Sequence, residues 1–167
     1  MLVHPDAESS IIAIFTLRDE AATTRLGSAL ADALRQGDII ALEGALGMGK
    51  TALARGLVRR LCGYETVVAS PTFTLVQIYD TPDFPLWHCD LYRIESDEDA
   101  FEIGLGEAFT EAATLIEWPE RLDSLLPSHH LRLKFIREEA DGSRIAELRG
   151  DPEWSRRLKG ISLDGRS

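Results

Sequence analysis

Residues 44–51 read GALGMGKT, which satisfies G-x-x-x-x-G-K-[ST] at Gly44, Gly49, Lys50 and Thr51. No other stretch of the chain restricts its fold so tightly. Ahead of it, DIIALEG carries Ile39, Ile40, Ala41 and Leu42 as one apolar run, the composition of a central parallel strand covered on both faces. Behind it, Leu53, Leu57, Val58 and Leu61 form one apolar stripe from Lys50 to about Leu61, with Gly63 as a stop. The motif therefore sits in the order that gives it physical meaning: strand, glycine-rich turn, helix.

That order builds a phosphate cradle. Small residues let successive backbone N–H groups turn inward toward phosphate oxygens, and the following helix directs its positive N-terminal end at the same anion. Gly47 adds a third permissive position, Lys50 supplies an ammonium for β- and γ-phosphates, and the Thr51 hydroxyl suits a place around Mg²⁺. Such a cradle needs an acidic partner at the end of a buried strand to hold the metal's surroundings or orient the attacking water. Asp90, after Leu86 to Cys89, and Glu117, after Leu115 and Ile116, both qualify, and the sequence leaves open which touches the metal.

The neighbours of these carboxylates have plainer readings. His88 shares the face of Asp90 at strand spacing and reads as a hydrogen-bonded structural histidine. A zinc site from His88, Cys89 and Asp90 is disfavoured because Cys89 points to the opposite face. Trp118 lies in a loop past a strand's C-terminal end, where α/β folds bind ligands, and suits either a nucleotide or a docked core position. Thr72 in SPTFTL suits a γ-phosphate-sensing loop, while Thr74 suits a strand. Arg55 and Arg59 share a helix face that is solvated or faces protein.

The remainder fills out a mixed α/β sheet. Ile11 to Phe15 predicts a strand, and Thr16 with Asp19 a helix-starting capping pair. Ala22, Leu26, Ala29, Leu30, Ala33 and Leu34 predict an amphipathic helix with Gly37 at its C-cap. TFTLVQIYD and PLWHCDLYR predict a hairpin across TPDF, SDEDAFEIGLGEAF predicts short helices, and ATLIEW predicts a buried strand. HLRLKFIRE and SRIAELRG predict a C-terminal hairpin around Asp141 and Gly142, and DPEWSRRLK opens with an Asp-Pro helix start. The expected fold is a P-loop NTPase-like three-layer arrangement with a mixed, partly parallel central sheet. One domain over residues 1–167, ordered from about 11 to 160, accommodates it.

Composition bounds the partners. The 167 residues carry 18 basic and 28 acidic side chains, a net charge of −10, so unaided tight nucleic-acid binding is disfavoured. No apolar run reaches membrane-spanning length, and MLVHPDAESS lacks the basic and apolar regions of a secretion signal; the expectation is a cytoplasmic protein without membrane contact. Cys62 and Cys89 lack C-x-x-C spacing and read as reduced, buried thiols.

Four segments, LEGALGMGKT, SPTFTLVQIY, HCDLYRI and LIEWPERL, occur in an order and spacing that resemble the TsaE family, also called the YjeE or YdiB family, over roughly residues 15 to 125. These are small bacterial P-loop ATPases required for threonylcarbamoyladenosine biosynthesis in tRNA. The resemblance implies that Gly47, Met48, Gly49, Lys50, Thr51 and Ala52 bind ATP phosphates, that Thr51 and Glu117 ligate Mg²⁺, that Asp90 lies beside the nucleotide as a catalytic candidate, and that Trp118 sits close by. It also implies docking on a TsaB–TsaD heterodimer, with tRNA contacted through that complex. Ala45 departs from the acidic residue many relatives carry after the first glycine, a change that a cradle built from backbone tolerates. The rivals are a small-molecule or nucleotide kinase, whose arginine-rich lid is not evident here, and a nucleotide-gated interaction module with little turnover. A GTPase is disfavoured because the chain has no N-K-x-D segment.

Overall fold

The computed structural model describes residues 9–163; the first eight residues, part of the segment examined for a secretion signal, and the last four lie outside it. Seven strands form one sheet in the order β1-β7-β6-β2-β5-β4-β3. In chain order they are β1 (Ser10–Leu17), β2 (Ile39–Glu43), β3 (Val76–Asp80), β4 (Pro85–Asp90), β5 (Ala113–Glu117), β6 (Leu131–Arg137) and β7 (Arg144–Gly150). The helices are α1 (Glu20–Ala33), α2 (Lys50–Cys62), α3 (Asp97–Glu102), α4 (Leu105–Glu111) and α5 (Pro152–Arg157). β2 runs parallel to both β5 and β6, and β4 runs parallel to β5. The β3–β4, β6–β7 and β1–β7 pairs are antiparallel. This is the mixed, partly parallel α/β sheet of a P-loop NTPase-like fold.

The apolar run of β2 is continuous because both faces are covered. Ile40 and Leu42 join a core with Leu26, Leu30, Leu53 and Leu57 from α1 and α2, whereas Ile39 joins Cys89, Ile116, Ala100 and Leu105 on the other face. Alternate residues of one strand thus serve two layers. The layer carrying the loop is unusually close: a Cβ placed on Gly27 of α1 would lie 2.1 Å from the Leu53 carbonyl oxygen, and one on Gly56 of α2 would lie 2.0 Å from that of Thr24. The two backbones touch, which fixes the axis of the helix that follows the cradle.

Several local expectations shift. Thr16 is a strand residue opposite Ile145, and Asp19 alone caps α1, accepting from the Ala22 amide at 2.7 Å. α1 stops at Ala33 with Leu34 extended, so Gly37 is not its C-cap. Gly37 instead turns the chain into β2 at φ +86° and donates its amide to the Ala112 carbonyl. The strand read across TFTLVQIYD starts only at Val76, because Leu75 takes a left-handed backbone (φ +65°) that interrupts extension; Thr74 lies in a turn rather than a strand. Asp90 ends β4, and LYR leaves the sheet. Cys62 is only half-buried, unlike Cys89.

α5 closes the far end. Asp151 caps it, Trp154 is buried with its indole N–H donated to the His129 carbonyl, and Arg157 grips Asp38 with two hydrogen bonds of 2.6 and 2.9 Å. The guanidinium also donates to the Ala33 carbonyl and lies over the Trp154 ring. No helix among the described residues is long and apolar enough to cross a membrane.

Two outcomes follow from this packing. Gly56→Ala must push α1 and α2 apart at a backbone contact, so denaturant unfolding should show a loss of about 1–3 kcal/mol or more. Burial pushes the Cys89 thiol up to about 12, so the reactive thiolate is suppressed at pH 8. Iodoacetamide should leave Cys89 unmodified in the native chain and label it only on unfolding, while Cys62 reacts slowly without unfolding.

Candidate functional site

The loop between β2 and α2 opens onto a cleft of about 260 Å³. Gly47, Gly49, Lys50, Thr51 and Ala52 line it from the loop and first turn of α2; Thr72, Asp90, Glu117 and Trp118 line it from the strand ends and the loops beyond them. Register explains the meeting. Leu42 at the end of β2 is paired with Glu117, and Glu117 with Asp90, so both carboxylates arrive at the sheet edge from which the loop departs.

Met48 is placed differently from its neighbours. Its side chain is buried in the core with Leu42 and Leu53, and its amide donates to the Ala45 carbonyl; it does not line the cleft. It acts as an anchor beneath the loop. Gly49 caps α2 at φ +108°, and a Cβ there would lie 2.9 Å from Arg144 Nη1 and 3.3 Å from the Thr23 methyl, so glycine is required by both conformation and space.

Lys50 is almost fully buried; its ammonium donates to the Gly44 carbonyl at 2.9 Å and sits 4.8 Å from the centre of the Trp118 ring. The loop thus folds back on its own lysine, and an aromatic face lies beside the charge. Trp118 itself has a left-handed backbone, φ +61° and ψ +51°, uncommon for a bulky residue and of the kind that clusters at ligand sites. Its ring contacts that of Tyr92, with centroids 5.0 Å apart, and Tyr92 in turn carries the Arg121 guanidinium.

The carboxylates have distinct surroundings. Asp90 accepts the Tyr92 amide on Oδ1 at 3.0 Å and the Thr72 hydroxyl on Oδ2 at 3.3 Å; Thr72 is also 2.7 Å from the Ser70 hydroxyl. Arg93 donates to the carbonyls of Thr72 and Phe73, stapling the 70–75 segment over the strand end. Glu117 is bound from below by His88, whose Nε2 lies 2.9 Å from Oε2. The zinc alternative fails on geometry: Cys89 packs in the opposite core layer, and no cluster of three His, Cys, Asp or Glu side chains among the described residues could hold a metal.

Sequence reading missed Glu20, Leu46, Ser70 and Arg144 in the cleft lining. Arg144 opens β7, whose antiparallel course returns it to the loop edge, a relation that no local pattern encodes. Arg55, read as solvated or protein-facing, lines the cleft and is paired with Glu20 at 3.0 Å, whereas Arg59 donates to the Thr66 carbonyl. An anion cradle, a buried ammonium, a hydroxyl beside it and two carboxylates in one opening suit a polyphosphate with a divalent cation.

Comparison with known proteins bears on the family and the fold. Residues 17–146 match the family model for the threonylcarbamoyl adenosine biosynthesis protein TsaE. The chain is 45% identical over 112 residues to the tRNA threonylcarbamoyladenosine biosynthesis protein TsaE of Rickettsia bellii, covering 67% of this chain and 78% of that one. It is 36% identical over 154 residues to the Rickettsia felis protein of the same name, covering 85% and 90%. The crystal structure of Bacillus subtilis YdiB superposes with a TM-score of 0.74 at 26% identity, covering 90% of this chain and 92% of that one.

Proposed function

The chain belongs to the TsaE family of tRNA threonylcarbamoyladenosine biosynthesis, and on that premise we propose that it is a single-domain cytoplasmic P-loop ATPase. It binds ATP with Mg²⁺ and hydrolyses it to support a TsaB–TsaD heterodimer, reaching tRNA only through that complex. The observation that carries this reading is the convergence of Lys50, Thr51, Thr72, Asp90, Glu117 and Trp118 on one cleft at the glycine-rich loop.

The residues fit the groups they are asked to hold. Mg²⁺ in nucleotide sites commonly uses one or two protein oxygens and completes its shell with phosphate oxygens and waters, which matches Thr51 and Glu117 in the absence of a larger acidic cluster among the described residues. When bound, the ion neutralises phosphate charge and polarises the transferred group. The loop amides cradle the phosphate chain, and Lys50 exchanges the Gly44 carbonyl for phosphate oxygens. Asp90, fixed by the Tyr92 amide, orients the attacking water, and Thr72 senses the terminal phosphate from the segment that Arg93 holds. Trp118 covers the ammonium and limits its hydration. A surface of net charge −10 leaves the polyanionic tRNA to the partner proteins.

ATP hydrolysis measured on the purified chain, then with TsaB, TsaD and tRNA added, tests the reading: the complex should raise the rate. Partners that neither bind nor stimulate, together with phosphate appearing on a small acceptor, would establish a kinase instead. Lys50→Ala should weaken ATP binding about 10- to 150-fold, the equivalent of about 1.5–3 kcal/mol for a charge-assisted contact, read by calorimetric titration. Asp90→Asn and Glu117→Gln should lower kcat while melting within a few degrees of the wild type; ordinary turnover in both would remove them from the chemistry.

A further inference from the structure

His88 is fully buried on β4, two residues before Asp90 and directly opposite Leu115 of β5. It is not among the residues lining the cleft, yet its Nε2 meets Oε2 of Glu117, which is. With the Glu117 oxygen accepting, the bond requires the ring proton on Nε2. Nδ1 is buried with no hydrogen-bond partner among the described residues. An orphaned polar atom in a packed strand is a cost that an apolar side chain of similar volume would avoid. The gain on the other side of the ring is orientation: Oε2 is taken, and Oε1 of Glu117 makes no hydrogen bond among the described residues.

We propose that His88 is a positioning residue for the cation site: its Nε2–H pins one oxygen of Glu117 from beneath the cleft floor so that the other is presented to the divalent ion. This rests on the reading of Glu117 as a metal ligand. Groups that hold a metal ligand from behind act by removing its rotational freedom, so their loss weakens metal binding without touching the metal. Here the pairing also spans two adjacent parallel strands, so the same bond ties the orientation of the ligand to the β4–β5 register that places Asp90 beside it.

The test uses the full chain with saturating ADP and Mn²⁺ as a paramagnetic substitute for Mg²⁺, with bound and free Mn²⁺ distinguished by electron paramagnetic resonance. His88→Leu, which fills the space without a donor, should weaken Mn²⁺ binding by about 10- to 100-fold, while His88→Gln, whose amide N–H can reach the same oxygen, should stay within about 3-fold of wild type. ADP affinity in EDTA should be unchanged in both. Wild-type Mn²⁺ affinity in His88→Leu overturns the proposal, as does His88→Gln binding as weakly as His88→Leu. If the wild type binds no Mn²⁺ with ADP, the metal-site reading falls and this proposal with it; binding by wild type and His88→Leu alike removes only the role of His88. Should His88→Leu fail to fold, ring ¹⁵N shifts of His88 in the wild type decide: an Nε2–H tautomer with and without Mg²⁺ supports the positioning bond, and an Nδ1–H tautomer excludes it.

Discussion

Three parallel strands ending in register are the constraint on which everything else depends. β2, β5 and β4 lie side by side, with Leu42, Glu117 and Asp90 in line across them. A slip of one residue would turn each side chain to the other face, burying both carboxylates against Ile39, Ala100 and Leu105 and bringing Cys89 and Ile116 to the cleft. The register is held by apolar pairing on both faces rather than by the polar residues that exploit it.

The second requirement is a stationary helix after the loop. Gly27 and Gly56 allow α1 and α2 to meet backbone to backbone, and Met48 is sunk into the same core layer. The turn between β2 and α2 is therefore anchored below and behind, and its exposed residues are Ala45, Leu46 and Gly47, with Leu46 at 92%. Rigid flanks around a short exposed span suit the proposed phosphate cradle, because its geometry is set before any ligand arrives.

Much of this was legible in the chain because it is local. The motif, the continuous apolar run of β2, the stripe of α2 and the Gly142 turn are each written within a dozen residues, and the elements stand where those patterns put them. What escaped depends on distant context. Leu75 and Trp118 adopt left-handed backbones that their residue types disfavour, so propensity extended both neighbouring strands too far. Gly37 and Thr16 satisfied cap patterns but were claimed by the turn into β2 and by pairing with β7. In the cleft, Arg144 and Glu20 come from the start of β7, two strands away from β2, and from the first turn of α1, where sequence offers no signal of proximity. Met48 shares the loop with its motif neighbours, while its side chain packs in the core with Leu42 and Leu53, a burial that the motif does not announce.

The clamp of Arg157 on Asp38 joins positions 119 residues apart, and β6, the strand flanking β2 on its other side, is made from residues 131–137. The segment encoding the cradle leaves the ribosome before β5, β6 and Arg157, which support its strand. During synthesis β2, the loop and α2 emerge with only α1 to pack on, so a chain cut short before Arg157 loses more than a tail: it loses the clamp on Asp38 at the head of β2.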